Sequence, residues 1–221
     1  MATVVVFDVN ETLSDLAPLG ARFEEVGLPA GLVPLWFASV LRDGMALSTS
    51  GHPRRFAEVA RGVLRVLLHG IPGPGPDPEE AVEHVLSGFL ALPAHPDVAP
   101  GVRALRDAGH RLVALTNGST DIAVGLLERT GVLADFEHVL SVDEAGAWKP
   151  DAKVYRLATD RCGVEREDAV MVAVHPWDLD GAAAVGLRTA WVDRDGGTYP
   201  AHCTPPDWTV RGVTELAPLL T

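Results

Sequence analysis

The sequence predicts an α/β fold, in which helices cover both faces of a parallel sheet and an all-helical module is inserted after the first strand. Two observations predict it. Strand and helix patterns alternate after residue 100, which is typical of a parallel sheet. Residues 15–95 show only helical patterns, although an apolar strand, residues 2–7, precedes them. A lone strand buries too little surface to be stable, so we expect it to join the later sheet.

Length, composition and charge agree with this organisation. A chain of 221 residues with 47% hydrophobic content can form one large domain or a core with an inserted module. The net charge of −12 argues against nucleic acid or an anionic membrane as a partner, whereas a small anionic substrate needs only a few local donors. Two cysteines, no signal-peptide pattern and no apolar run of membrane-spanning length lead us to expect a cytoplasmic protein. A homodimer is an open alternative to a monomer.

The inserted module contains four predicted helices. Their apolar residues recur at helical spacing, and a glycine follows each of the first three, where helices commonly end. The predicted helices cover residues 14–26, 31–42, 53–69 and 79–92. The Pro/Gly-rich residues 71–78 are predicted to form a loop, because proline interrupts helices and central strands. We therefore predict a discontinuous core, residues 1–14 and 96–221, around a helical domain, residues 15–95.

The core alternates between helix and strand to the end of the chain. Its apolar runs predict buried strands, and the amphipathic stretches between them predict the covering helices. The predicted strands after the first cover residues 111–117, 138–142, 169–174, 188–192 and 208–210. The predicted helices cover residues 102–108, 120–130, 152–161, 179–185 and 214–220. In such a sheet the carboxyl ends of the strands meet at one edge, where ligands bind.

Polar side chains follow three of the predicted strands. Asp8 comes directly after VVVF, Thr116 and Asn117 end the LVAL run, and Asp178 follows VMVAV. Lys149 lies just before a helix at the same predicted edge. Taken singly, Asp8 or Asp178 could cap a helix and Lys149 could be a solvated lysine. Together they suit a nucleophilic carboxylate whose charge is held by an ammonium group.

Four motifs stand in a characteristic order along the chain: FDVNETL, LTNGS, WKPDAKVY and HPWDLDGA. In their content and order they resemble the four motifs of the haloacid dehalogenase superfamily of hydrolases. The resemblance covers almost the whole sequence. It implies a Rossmann-like parallel sheet as the core and identifies the helical insertion with the cap domain of that family.

The resemblance leaves the branch of the superfamily to be decided. Most members are Mg-dependent phosphatases, which carry a second Asp two residues after the nucleophile and a further acidic pair after the last strand. Here Asn10 stands at the first of these positions, and Met171–His175 contains no carboxylate. Because Mg²⁺ prefers hard oxygen ligands, these replacements disfavour a phosphatase. A phosphatase with unusual ligands, a hydrolase of another small electrophile and a non-enzymatic binding protein remain alternatives.

The chain is more similar to the 2-haloacid dehalogenase branch, which works without a metal. The residues that match this branch are Asp8, Thr12, Arg42, Thr116, Asn117, Lys149, Tyr155, Trp177 and Asp178. The resemblance implies that Lys149 keeps the nucleophile ionised and that Asp178 helps water to hydrolyse an ester intermediate. The predicted enzyme therefore hydrolyses carbon–halide bonds and needs no cofactor.

The same resemblance implies how a substrate is held. Asp8 would displace halide from the α-carbon of a small 2-haloalkanoic acid. Arg42, which follows an aromatic-rich helix, would cradle the departing halide with Asn117. Thr116 and neighbouring backbone amides would hold the carboxylate of the substrate.

Three residues depart from the branch, which usually has tyrosine, serine and asparagine where this chain has Asn10, Ala173 and His175. His175 either compensates as a hydrogen-bonding or proton-transfer group or is a strand-end imidazole bonded to backbone. We assign to catalysis Asp8, Thr12, Arg42, Lys149 and Asp178. We assign to the substrate pocket Asn10, Thr116, Asn117, Tyr155, His175 and Trp177. No metal ligand is predicted.

Overall fold

The computed structural model describes residues 3–70 and 77–220, so most of the predicted loop at 71–78 lies outside the described residues. The α/β fold predicted from the sequence is confirmed. The strands are β1 Val4–Phe7, β2 Arg111–Thr116, β3 Phe136–Ser141, β4 Ala169–Ala173, β5 Arg188–Val192 and β6 Trp208–Val210. The α-helices are α1 Leu19–Glu25, α2 Val33–Thr49, α3 Phe56–His69, α4 Pro78–Leu90, α5 Val98–Asp107, α6 Thr120–Thr130, α7 Val142–Ala145, α8 Ala152–Cys162 and α9 Pro176–Ala184.

The strands form one parallel sheet in the order β3-β2-β1-β4-β5-β6. All four residues of β1 are fully buried, as expected for a central parallel strand with helices on both faces. The ladder continues one residue beyond β1, because the Asp8 N–H donates to the Val172 carbonyl at 3.0 Å. Asp8 therefore lies at the carboxyl end of the sheet between two neighbouring strands.

The chain divides into two compact units, Met1–Ser14 with Ala94–Thr221, and Asp15–Pro93. The sequence predicts the second junction at residues 95/96, and the structure has it at 93/94. Within the first unit, Ser14 and Ala94 form an antiparallel bridge, and the His95 N–H donates to the Leu13 carbonyl at 2.9 Å. The two residues at which the first unit is interrupted are thus neighbours in space.

The helical unit is assembled around Trp36 on α2. This indole is fully buried and makes edge contacts with Phe23 and Phe89, at centroid distances of 5.9 and 5.8 Å. Its Nε1–H donates to the Ala60 carbonyl of α3 at 3.2 Å, so the polar end of the ring is satisfied as well. Helices α1 to α4 therefore share one aromatic core.

Helix α2 is longer than the sequence predicts. It continues through Gly44 to Thr49, because a buried glycine costs a helix only about 1 kcal/mol and packing outweighs that cost. Residues Ala30–Thr49 are long and apolar enough, by length and composition alone, to cross a membrane, contrary to our expectation. This is weak evidence of a membrane span, since core helices that pack through residues such as Trp36 pass the same test.

Elements of the core unit also differ from prediction: α7 is not predicted, and α9 begins at Pro176 rather than at residue 179. Helix α5 begins at Val98 rather than at residue 102, because Pro100 falls in the first turn, where proline is tolerated. The helix predicted at 214–220 is reduced to a short 3₁₀ turn, Val213–Glu215. Leu216 and Leu220 are buried without it, so the apolar pattern reflects burial rather than a regular helix.

The close contact between α5 and the Val213–Glu215 turn predicts the effect of a single methyl group. A Cβ on Gly101 would lie 2.6 Å from the Val213 carbonyl carbon and 2.8 Å from the Thr214 nitrogen. Because these are backbone atoms, we expect Gly101→Ala to destabilise the protein by about 1–3 kcal/mol. Beyond its chain neighbours and the backbone of α3, a Cβ on Gly62 would meet no atom of the described residues within 4 Å, so Gly62→Ala should stabilise by about 0.5–1 kcal/mol. Equilibrium unfolding in urea checks both, and equal effects would contradict the argument.

Candidate active site

Asp8 begins a tight turn at the carboxyl end of β1, and it is only 4% exposed. The Leu13 N–H donates to the Val9 carbonyl at 2.9 Å and closes this turn. The Thr12 hydroxyl donates to Asp8 Oδ2 at 2.7 Å and accepts from the Val174 N–H at 3.1 Å. Thr12 therefore links the carboxylate to the end of β4 and orients it.

Lys149 is fully buried between two carboxylates. Its Nζ lies 3.0 Å from Asp8 Oδ1 and 2.8 Å from Asp178 Oδ2. Its backbone N–H donates to Asn117 Oδ1 at 3.0 Å, which holds the loop before α8 against the end of β2. The sequence predicts this meeting of Asp8, Lys149 and Asp178 at one edge of the sheet, and the structure brings them together.

The ion pairs set the protonation state of the nucleophile candidate. Burial by itself would raise the pKa of Asp8, but the charges of Lys149 and His175 and the hydrogen bonds to this carboxylate hold that pKa well below its ordinary value. Burial would likewise lower the pKa of Lys149, but Asp178 and Asp8 raise it above the ordinary value. Asp8 is therefore a buried carboxylate that stays ionised, next to an ammonium group that stays protonated.

Asp178 lies in the first turn of α9 and is fully buried. Tyr155 donates its hydroxyl proton to Asp178 Oδ1 at 2.7 Å. The tyrosine can approach because Gly181 has no side chain: a Cβ there would lie 2.7 Å from the Tyr155 hydroxyl oxygen. Burial raises the pKa of Asp178 despite the opposing charge of Lys149, so this carboxylate is a better proton acceptor than an ordinary aspartate.

His175 contacts two carboxylates. Its Nδ1 lies 3.2 Å from Asp8 Oδ2, its Nε2 lies 2.8 Å from Glu11 Oε2, and the ring packs against Trp177 at a centroid distance of 5.1 Å. Burial would lower the pKa of His175, but the hydrogen bonds to Asp8 and Glu11 raise it to about 10. Both ring nitrogens therefore act as donors, which is the pattern of an imidazolium.

Glu11 is the site residue that the sequence reasoning missed. It has a φ of 62°, a left-handed conformation that non-glycine residues seldom adopt. The sequence alone does not single out Glu11, because turn positions that need a left-handed conformation usually carry glycine, asparagine or aspartate rather than glutamate. The turn after Asp8 thus presents a second carboxylate to His175.

The Thr116 to Gly118 turn completes the edge. Thr116 Oγ1 accepts from the Gly118 N–H at 2.9 Å, and the Ser141 hydroxyl donates to the Gly118 carbonyl at 2.7 Å. A Cβ on Gly118 would lie 3.7 Å from Asn10 Nδ2, so the buried Asn10 amide reaches this turn. The structure therefore brings Asn10 to the turn after β2, and the substrate-binding role of these residues stays a prediction.

Arg42 belongs to the helical unit and lies on α2. Its side chain is 70% exposed, and its Nε is 2.8 Å from Asp43 Oδ1. A surface ion pair of this kind contributes little to stability. The predicted halide-binding role of Arg42 stays a prediction.

One group of described residues could by geometry hold a metal ion. The ligand atoms of Glu137, His138 and Cys162 lie within 4.8 Å of one another. However, Arg111 donates to both Glu137 carboxylate oxygens at 2.7 Å, so that charge is already compensated. This cluster lies at β3 and the end of α8, and it does not include the residues around Asp8.

Comparison with known proteins decides the family. The family model of haloacid dehalogenase-like hydrolases matches residues 2–186. The chain belongs to this family. The predicted family, its α/β fold and the hydrolase class are therefore confirmed.

Several similar proteins are named dehalogenases. Haloacetate dehalogenase H-2 of Moraxella sp. (strain B) is 39% identical over 132 residues, which span 60% of this chain and 59% of that relative. The (S)-2-haloacid dehalogenase of Pseudomonas sp. (strain YL) is 29% identical over 96% of this chain and 93% of its own length. The crystal structure of an L-2-haloacid dehalogenase has a TM-score of 0.91 and 28% identity, and the match covers 99% of this chain and 98% of that one.

A phosphatase is also among the relatives. Glyceraldehyde 3-phosphate phosphatase of Methanopyrus kandleri is 30% identical over 88% of this chain and 85% of its own length. The family thus includes relatives with two different named activities, and the geometry around Asp8 has to distinguish between them.

The buried ion pairs predict how stability depends on Lys149. Lys149→Met leaves Asp8 and Asp178 without the cation between them, and we expect a loss of about 3–5 kcal/mol at neutral pH. In the wild type the pKa of Asp8 is depressed, so its contribution is present above the ordinary pKa and lost as pH falls. In the variant the carboxylate pKa values rise, so stability should increase as the solution is acidified from about pH 8 to about pH 5.

Urea unfolding at several pH values measures this. Lys153→Met is the matched control, because Lys153 is exposed on α8 and its loss should change the free energy of unfolding by less than about 0.5 kcal/mol. A Lys149 variant as stable as the control would show that the two ion pairs contribute nothing.

Proposed function

We propose that this hydrolase cleaves the carbon–halide bond of small 2-haloalkanoic acids through an aspartyl ester on Asp8, without a metal ion. The observation that carries the proposal is a buried, ionised Asp8 in contact with the Lys149 ammonium. A carboxylate is a weak nucleophile in water, and partial desolvation with a defined orientation supplies its reactivity. The names of the dehalogenase relatives support the choice of substrate.

In the first step, an oxygen of Asp8 attacks the α-carbon of the substrate. A C–O bond forms, the carbon–halogen bond breaks, and the halide leaves with the bonding electron pair. Thr116 and neighbouring amides hold the substrate carboxylate, and Asn117 holds the departing halide. Lys149 keeps Asp8 ionised until the attack and remains charged afterwards.

In the second step, water hydrolyses the ester. Its oxygen adds to Cγ of Asp8, and its proton passes to Asp178, whose pKa is raised by burial. When the ester C–O bond breaks, Lys149 gives a proton to the departing alkoxide, and Asp178 returns one to Lys149 across 2.8 Å. The product is a 2-hydroxy acid. Asp8 keeps one oxygen from water and releases the second water proton to solvent, because its pKa is depressed, so the carboxylate is regenerated.

The donors around Asp8 do not fit a divalent cation. Lys149 contacts Oδ1, and Thr12 and His175 contact Oδ2, so a metal ion at either oxygen would meet a positive charge. An Mg-dependent phosphatase is the second candidate, because a named phosphatase is a relative. The charge distribution at Asp8 favours the metal-independent reaction.

Isotope labelling tests the covalent mechanism. A single turnover of 2-chloropropionate in ¹⁸O-water, with enzyme in excess, should place ¹⁸O in Asp8 and leave the first 2-hydroxy acid unlabelled, because water attacks Cγ rather than the substrate. Mass spectrometry of the Asp8 peptide and of the product measures both. Asp8→Asn should release no halide, whereas Asp121→Asn, at an exposed position on α6, should keep the wild-type rate. Label found directly in the first product would mean that Asp8 acts as a general base.

Metal dependence tests the choice between the two candidates. We expect EDTA to leave the rate of chloride release from chloroacetate and 2-chloropropionate unchanged, and added Mg²⁺ to have no effect, since the charges of Lys149 and His175 at Asp8 oppose a bound cation. A panel of phosphomonoesters should yield no phosphate with or without Mg²⁺. Mg-dependent phosphate release without any halide release would instead identify the protein as a phosphatase.

A further inference from the structure

The two oxygens of Asp8 have different surroundings. Oδ1 accepts a hydrogen bond from Lys149 at 3.0 Å. Oδ2 accepts from the Thr12 hydroxyl at 2.7 Å and from His175 Nδ1 at 3.2 Å. Because Oδ2 has two donors and Oδ1 has one, Oδ1 is the better nucleophile of the pair. Attack through Oδ1 leaves Oδ2 as the carbonyl oxygen of the ester.

We infer that Thr12 and His175 form an oxyanion hole for the hydrolysis of this ester, and that Glu11 positions the imidazolium and keeps it charged. The inference rests on the proposed function and adds a catalytic and a positioning residue to it. When water adds to Cγ, the C–O double bond opens and its electron pair moves to Oδ2. The new negative charge then develops at the oxygen that both donors already face, which is the geometry of electrostatic transition-state stabilisation.

A charged donor matters in this step because the ester is neutral. In the resting enzyme, the imidazole lies between the carboxylates of Asp8 and Glu11, and Lys149 lies on the far oxygen of Asp8. Esterification removes the charge of Asp8 and leaves Glu11 as the carboxylate that faces His175. The proton on His175 during hydrolysis therefore depends on Glu11.

The backbone of Glu11 supports a functional role. A left-handed conformation is unfavourable for a non-glycine residue, and such strain is retained mainly where a side chain is needed in one position. Glycine would relieve it. The glutamate side chain instead places Oε2 at 2.8 Å from His175 Nε2, opposite the nitrogen that donates to Asp8. Strain and contact together point to a carboxylate held in place for the imidazole.

Pre-steady-state kinetics with 2-chloropropionate separate the two chemical steps. Halide release reports attack by Asp8, and 2-hydroxy acid release reports hydrolysis of the ester. Wild-type hydrolysis should fall at alkaline pH as His175 loses its proton, and Glu11→Gln should move this fall to lower pH. For His175→Asn we expect a halide burst of about one per site and ester hydrolysis about 10²-fold slower than in the wild type. The alkaline decrease in the hydrolysis rate should be absent from this variant.

Two controls distinguish a positioning role from a structural one. Glu11→Gly should raise the midpoint of thermal unfolding, because the backbone strain is relieved, and should still move the alkaline decrease in the hydrolysis rate to lower pH. If Glu11 had only a structural role, this substitution would lower the midpoint of thermal unfolding. Glu167→Gln, at an exposed position, should change neither. A normal halide burst with an unshifted pH profile in Glu11→Gln would overturn this inference and leave the proposed function standing. Absence of halide release from the wild type would overturn both.

Discussion

The buried ammonium of Lys149 is the constraint on which the rest of the site depends. A cation without exposed surface is stable only next to opposite charges, which Asp8 and Asp178 supply at 3.0 and 2.8 Å. These carboxylates lie 141 and 29 residues away from the lysine in the chain. Burying three charges costs more than burying apolar side chains, so the cluster lowers stability relative to an apolar core while it keeps the carboxylate reactive. The same contacts hold β1, the loop before α8 and the start of α9 together.

Hydrogen bonds between adjoining loops then make the edge of the sheet rigid. Thr12 bonds to the backbone of Val174, Asn117 bonds to the backbone of Lys149, and Ser141 bonds to the carbonyl of Gly118. Loops that follow strands are usually the mobile part of an α/β protein. Here each of them is tied to a neighbour by a buried or partly buried bond, so the groups around Asp8 are preorganised before any substrate binds.

The fold and most of the core-unit site could be predicted, because they depend on patterns that tertiary contacts do not override. The apolar run before Asp8 favours only a buried strand, and the parallel sheet then requires Lys149 and Asp178 to meet at its edge. The ends of helices were harder to predict than their presence. Gly44 stands where a helix commonly ends, but α2 continues through it because of tertiary packing. Glu11 could not be predicted, because its importance lies in a backbone angle that contradicts its residue type. The environment of Arg42 depends on tertiary packing, which a motif match does not specify.

The bridge between Ser14 and Ala94 has a consequence for how this protein can change. Ser14 and Ala94, where the core is interrupted, lie side by side. The stretch Asp15–Pro93 therefore connects them as a loop connects the two strands of a hairpin. Such a loop tolerates changes in length, because doubling its length adds only about 0.6 kcal/mol to the entropic cost of loop closure. Insertions, deletions or wholesale replacement of that stretch can therefore accumulate while β1 keeps its register. Sequence change in the helical stretch therefore carries little thermodynamic risk for the aspartate that precedes it.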